Sequence, residues 1–210
     1  MRKSLQESDQ RINPAKIKSC RACGLYLNQL PAYDTTKPSS IFWVGLSAVQ
    51  FSDEDERVPL SPFTRSGALI ATIEKPFSKQ VAFYKTNIVK CLPLTNDKIR
   101  YPVKDEMERC YTNFEDEVKA MKPKLVFLLG KQVASFVYQK MNAGPVQLSD
   151  DFIFTAVSSD GVKYIPVHHP SFILVYRRKF VDEYSEGIGY HIKSLLEKTR
   201  KSSLVKNMSR

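Results

Sequence analysis

The sequence predicts an α/β protein with a mainly parallel sheet and crossover helices. The clearest strand is Lys124-Leu125-Val126-Phe127-Leu128-Leu129-Gly130, a continuous apolar run ending in glycine and leading into a helical pattern. A parallel strand buried on both faces has this character. Ile41-Phe42-Trp43-Val44-Gly45-Leu46 repeats it, and the elements recur as strand, loop, helix, strand, the order that joins parallel strands. A length of 210 residues suits one domain with a real core, so residues 1–210 are read as a single unit.

Taken in order, residues 1–18 are polar and form a short helix or a loose lead-in. The strand at 41–46 follows, then a polar loop from Ser47 to Pro62 whose acidic run, Asp53 to Glu56, reads as solvated and would repel DNA. A helix is predicted over about residues 67–75, and a second strand from Gln80 to Val89. Turn-forming residues 95–102 precede a helix that carries Glu106 and Cys110 near its start and runs to about Met121. After the 124–130 strand comes a helix over 131–141, then a loop and hairpin-like connection over 142–164. A final strand ends at His168, the chain is helical from Arg178 to about Arg200, and residues 201–210 form a basic frayed tail.

Charge and cysteine usage narrow the function classes. A net charge of +10 and a pI near 9.4 point to an acidic partner, of which nucleic acid is the commonest. No apolar run approaches the roughly 18 residues a membrane span needs, and the first residues lack the apolar core of a signal peptide. A cytoplasmic protein is therefore expected, with its four cysteines reduced rather than paired. Cys20 and Cys23 form a C-x-x-C knuckle closed by Gly24, and no strand precedes it as in a thioredoxin-type redox pair. Cys91 and Cys110 each lie at an element boundary. Four sulfurs with no histidine in the set suit a four-iron, four-sulfur cluster or a structural zinc, and spacing does not separate the two.

The stretch Ile165 to Arg178, IPVHHPSFILVYRR, carries the chemistry. Pro170 biases His169 towards an extended conformation, placing an imidazole at the mouth of a strand beside Ser171 and the basic run Arg177, Arg178 and Lys179. Histidine is the side chain whose ordinary pKa lies nearest neutrality. The bland alternative is a strand leaving the core, with both histidines bonded to backbone carbonyls.

The ordered set of C-x-x-C, Val44-Gly45-Leu46, Pro62-Phe63 with Ser66-Gly67, Thr86-Asn87-Ile88-Val89-Lys90-Cys91-Leu92-Pro93, Cys110, Leu128-Leu129-Gly130-Lys131 and His169-Pro170-Ser171 resembles the uracil-DNA glycosylase superfamily, in its iron–sulfur branches (family 4 and 5). The resemblance spans roughly residues 18–180. It implies a three-layer α/β/α sandwich around a four-stranded, mainly parallel sheet. It also implies a monomeric, monofunctional enzyme that flips a base out of DNA and hydrolyses its glycosidic bond. Cys20, Cys23, Cys91 and Cys110 would hold a structural 4Fe-4S cluster.

By the same resemblance, His169 donates to the pyrimidine O2, and Asn87 reads the base edge with its amide donor and acceptor. Gly45, Leu46, Ser47 and Val49 line the base pocket, and Phe63 stacks on the base, with Phe51 as its competitor. Ser171 and the backbone after Pro170 pinch a phosphate, Phe172-Ile173-Leu174 supplies an apolar wedge, and Arg177, Arg178 and Lys179 hold the DNA backbone. Lys90 is a further phosphate or cluster-side contact. The first motif departs from many relatives: Leu46 stands where they carry an acidic or amide residue that positions water, leaving Asn87, Ser47 or a backbone-held water for that task. Val49 replaces the tyrosine that guards the C5 face in uracil-selective relatives, so a bulky 5-substituted cytosine of phage DNA is an alternative substrate. An iron–sulfur DNA-binding module with weak catalysis is the second alternative.

Overall fold

In the computed structural model of the chain, residues 14–35, 39–51 and 57–208 are described. Of the predicted solvated acidic run, Asp53, Glu54, Asp55 and Glu56 lie outside them, as does most of the lead-in. The elements are α1 (Pro14–Lys18), β1 (Ile41–Ser47), α2 (Arg65–Glu74), β2 (Phe83–Val89), β3 (Leu94–Thr95), β4 (Lys98–Ile99) and α3 (Lys104–Met121). They continue as β5 (Leu125–Leu129), α4 (Lys131–Lys140), β6 (Val157–Ser159), β7 (Val162–Val167), α5 (Pro170–Tyr176) and α6 (Val181–Met208).

The main sheet runs β2-β1-β5-β7-β6. Its first four strands are parallel, and β6 pairs antiparallel with β7. The expected four parallel strands are therefore present with an added fifth at one edge. Asp160 and Gly161 produce it: both take positive φ (50° and 77°), the left-handed pair that suits a two-residue hairpin to the twist of its strands.

Alternation along the strands builds two cores. Phe42 and Val44 of β1 and Val126 and Leu128 of β5 pack against Met107, Tyr111 and Phe114 of α3 and against α4. Ile41 and Trp43, with Leu125, Phe127 and Leu129, face α2 and the Tyr184, Ile188 and Ile192 stripe of α6. Successive strand side chains point to opposite faces, so β5 and the first four residues of β1 are apolar on both faces and their runs read as continuous. Trp43 stacks on its register partner Phe127 at 4.7 Å. Helix α6 runs on to Met208 rather than fraying after Arg200.

Candidate active site and cysteine centre

The carboxyl ends of β1, β2, β5 and β7 all reach one open cleft of about 940 Å³. It lies where the chain order reverses between β1 and its neighbours β2 and β5, the place where open parallel sheets bind ligands. Gly45, Leu46, Ser47 and Val49 from the end of β1, Asn87 from β2, Gly130 after β5 and His169 after β7 all line it.

His169 is the N-cap of α5, with extended backbone (φ −65°, ψ 134°) as Pro170 requires. Its Nδ1 accepts from the Ser171 backbone N–H at 3.2 Å and lies 2.7 Å from the Ser171 hydroxyl. A nitrogen that accepts an N–H carries no proton, so the neutral ring holds its hydrogen on Nε2. Burial lowers the His169 pKa from its ordinary 6.5, so the neutral form prevails at pH 7. The other histidines satisfy the bland reading: His168 Nε2 bonds the Ser149 carbonyl at 3.1 Å, and His191 Nε2 bonds that of Phe154 at 2.9 Å.

Asn87 is buried at the cleft wall. Gly45 sits beside it in register; a Cβ there would stand 2.3 Å from Asn87 Oδ1, so only glycine leaves the amide its place. Gly130, at φ +87°, ends β5 and opens α4, passing next to His169.

At the outer side of β2, Cys20, Cys23, Cys91 and Cys110 line one small cavity with Tyr26 and Lys90. Three arms carry them: the turn after α1, the exit of β2, and α3. Asn28 Nδ2 donates to the Leu92 carbonyl at 2.9 Å and Ala32 N–H to that of Lys90 at 2.8 Å, stitching the first arm to the second. The Lys90 N–H donates to Cys110 Sγ at 3.3 Å, and the Asn113 amide points at Cys110 and Cys20 Sγ (3.7 and 3.8 Å). Desolvation and the neighbouring sulfurs push the Cys91 thiol up to about 12. A cationic centre reverses that penalty by deprotonating the thiols it binds. Among the described residues no three ligating side chains close on a single ion. Four cysteine sulfurs around one cavity are a donor set suited to a thiolate-held metal centre.

A family model described as the uracil DNA glycosylase superfamily matches residues 34–188. The chain belongs to this superfamily. It is similar to the type-4 uracil-DNA glycosylase of Archaeoglobus fulgidus, 26% identical over 186 residues that span 80% of this chain and 84% of the relative. The type-4 uracil-DNA glycosylases of Saccharolobus solfataricus and Sulfurisphaera tokodaii are each 26% identical over 60% of this chain. They are covered over 58% and 56% of their own lengths.

Several residues assigned from sequence sit elsewhere in this superfamily member. Phe63 is 81% exposed and lines no part of the cleft, whereas Phe51 does. Gln29 holds that segment, donating to the Val49 carbonyl at 2.9 Å and accepting from the Phe51 N–H at 3.1 Å. Lys90 is 1% exposed and reaches no phosphate: its ammonium bonds Glu117 Oε2 and the Asn87 carbonyl, both at 2.8 Å, and the Thr86 hydroxyl. Only its backbone N–H reaches the cysteines, at Cys110 Sγ. Ser171 turns both donors to His169, so it orients the imidazole instead of pinching a phosphate.

Arg177 is committed to Asp150 at 3.0 Å and lies over the Phe152 and Phe180 rings, fastening the loop before β6. Arg178 and Lys179 stay exposed. The wedge segment forms helix α5, which buries Ile173 and leaves Phe172, Val175 and Tyr176 outward along the cleft. Sequence reasoning missed Lys131, Gln132, Arg100 and Tyr101, which also line it. Lys131 had a signal, as the first helical residue after a parallel strand.

Proposed function

We propose that this chain is a monofunctional DNA N-glycosylase that flips a uracil or modified pyrimidine into the cleft and hydrolyses its bond to deoxyribose, leaving an abasic site. The orientation of His169 carries the reading: a neutral imidazole with its free N–H on Nε2, on the cleft wall shared with Asn87. Cleavage leaves negative charge on the departing base, so a donor already aimed at O2 stabilises the transition state more than the bound base. Asn87 offers its amide donor and acceptor to the base edge, and Phe51, which lines the cleft, is the proposed stacking aromatic. With Leu46 apolar, water is left to Ser47, Asn87 or backbone groups at the end of β1.

Action as a monomer is part of this reading. Lys131, Arg178 and Lys179 are the exposed cations proposed to meet phosphates. The four cysteines would hold a 4Fe-4S cluster, whose part is to tie three arms of the fold together. Anaerobically purified protein is expected to be brown with iron and acid-labile sulfide in equal amounts; a colourless, zinc-containing preparation would refute the cluster.

Val49 favours a second substrate. It lines the cleft half-exposed where a larger side chain would close the C5 side, so a bulky 5-substituted cytosine, as in phage DNA, is the alternative. Oligonucleotides carrying uracil, hypoxanthine, xanthine or 5-substituted cytosines decide the matter through alkali-labile breaks. Breaks at uracil are expected; breaks confined to the substituted cytosines would move the assignment to defence against foreign DNA. No breaks at any base, with DNA still bound, would leave a binding module and end the glycosylase reading.

A further inference from the structure

The β3–β4 hairpin is a built projection that the proposed chemistry does not use. Asn96 and Asp97 both take positive φ (48° and 58°), giving the tight turn that suits a two-residue hairpin. Behind the turn, Arg100 grips Glu106 through two nitrogens at 2.8 and 2.6 Å, and its Nε donates to the Thr95 hydroxyl at 2.9 Å. Glu106 also accepts from the Val103 N–H at 2.9 Å, so the lock closes on the first turn of α3. Bidentate pairs of this kind fix geometry as well as adding energy.

What this rigid base presents is apolar. Six of the eleven large apolar side chains exposed among the described residues line the cleft: Val49, Ile99, Tyr101, Phe172, Val175 and Tyr176. Tyr101 is 76% exposed on the hairpin side and Tyr176 74% exposed on α5. A concentration of exposed apolar surface marks a binding site. The guanidinium on the hairpin side is already neutralised by Glu106. Lys98 on the same hairpin is exposed, so the jaw sets a ring face beside a cation, the pairing that grips an unstacked base and its phosphate.

Resting on the glycosylase reading above, we propose that the hairpin is a second DNA-contacting jaw in which Tyr101 stacks on the base beside the extruded one. Base–aromatic stacking tolerates any sequence because every base has a π-face.

The test uses a single-stranded oligonucleotide with 2-aminopurine next to 2′-fluorodeoxyuridine, whose glycosidic bond resists cleavage. Wild-type protein is expected to alter the 2-aminopurine emission on binding. Tyr101→Ala should abolish that change and weaken single-strand binding about tenfold, within the range found for loss of one stacked base. Tyr101→Phe should keep both. Tyr101 is exposed, so circular dichroism and the melting temperature should match wild type. Tyr101→Ala binding the single strand like wild type with the emission change intact would overturn the proposal, as would a loss confined to duplex DNA. A Tyr101-dependent signal without cleavage at any base would support the jaw and defeat only the glycosylase reading.

Discussion

Replacing His169 with alanine is expected to lower single-turnover cleavage by about 10²–10³-fold, the usual cost of one preorganised donor at a developing anion. DNA affinity, read by fluorescence anisotropy, should move less than about threefold, because the donor is needed when charge appears on the base and not before. Equal losses in rate and affinity would remove His169 from the chemistry. The pH dependence follows from the ring's partners. Burial lowers the pKa of His169 below 6.5, so the rate should hold constant through neutrality. On acidification through the lowered value, Nδ1 takes a proton and can no longer accept from Ser171, the ring turns, and the rate falls. Stability moves in the same direction. Below pH 6.5 an unfolded chain protonates this histidine while the folded chain resists, so its contribution is full above 6.5 and is lost as pH falls through the folded value.

Lys90→Met should cost about 3–5 kcal/mol, since it leaves the Glu117 carboxylate buried without its counter-charge. For a chain of this length that is roughly a 10 °C fall in melting temperature. The double variant Lys90→Met/Glu117→Leu should recover only part of the loss, because the unpaired charge is gone but the buried Tyr84 and Thr86 hydroxyls lose their acceptor. Calorimetry on the two proteins checks both. A single variant melting with wild type would mean the pair contributes nothing. Tyr84 donates to the same carboxylate at 3.1 Å and Thr86 at 2.8 Å, so the lesion lies directly behind Asn87 and is expected to slow cleavage as well.

The parallel strands and the cleft residues at their ends were legible because one local rule governs each. Continuous apolar runs mark strands covered on both sides, and Pro170 alone dictates the backbone at His169. The misassigned residues depend on partners far along the chain. Lys90 follows an apolar strand and reads as a surface cation until α3 brings Glu117 against it. A clue existed, since Glu117 shares the inward stripe of Cys110 and Phe114 on that helix. Arg177 belongs to a basic run, yet Asp150 claims it across the turn into α5. Choosing between Phe51 and Phe63 turned on Gln29, which no local pattern ties to that loop. The three-residue β6 is too short for alternation to announce it.

The hairpin that holds Tyr101 is strung between Cys91, where β2 lets go of the sheet, and Cys110, in the second turn of α3. Both its moorings are thus cysteines of the cavity shared with Cys20 and Cys23, the set proposed above to hold the cluster. If they do hold it, loss of the cluster in air would slacken the proposed Tyr101 contact well before it disturbs the imidazole across the sheet. An aged preparation should accordingly forget how to hold its substrate while still remembering how to cut it.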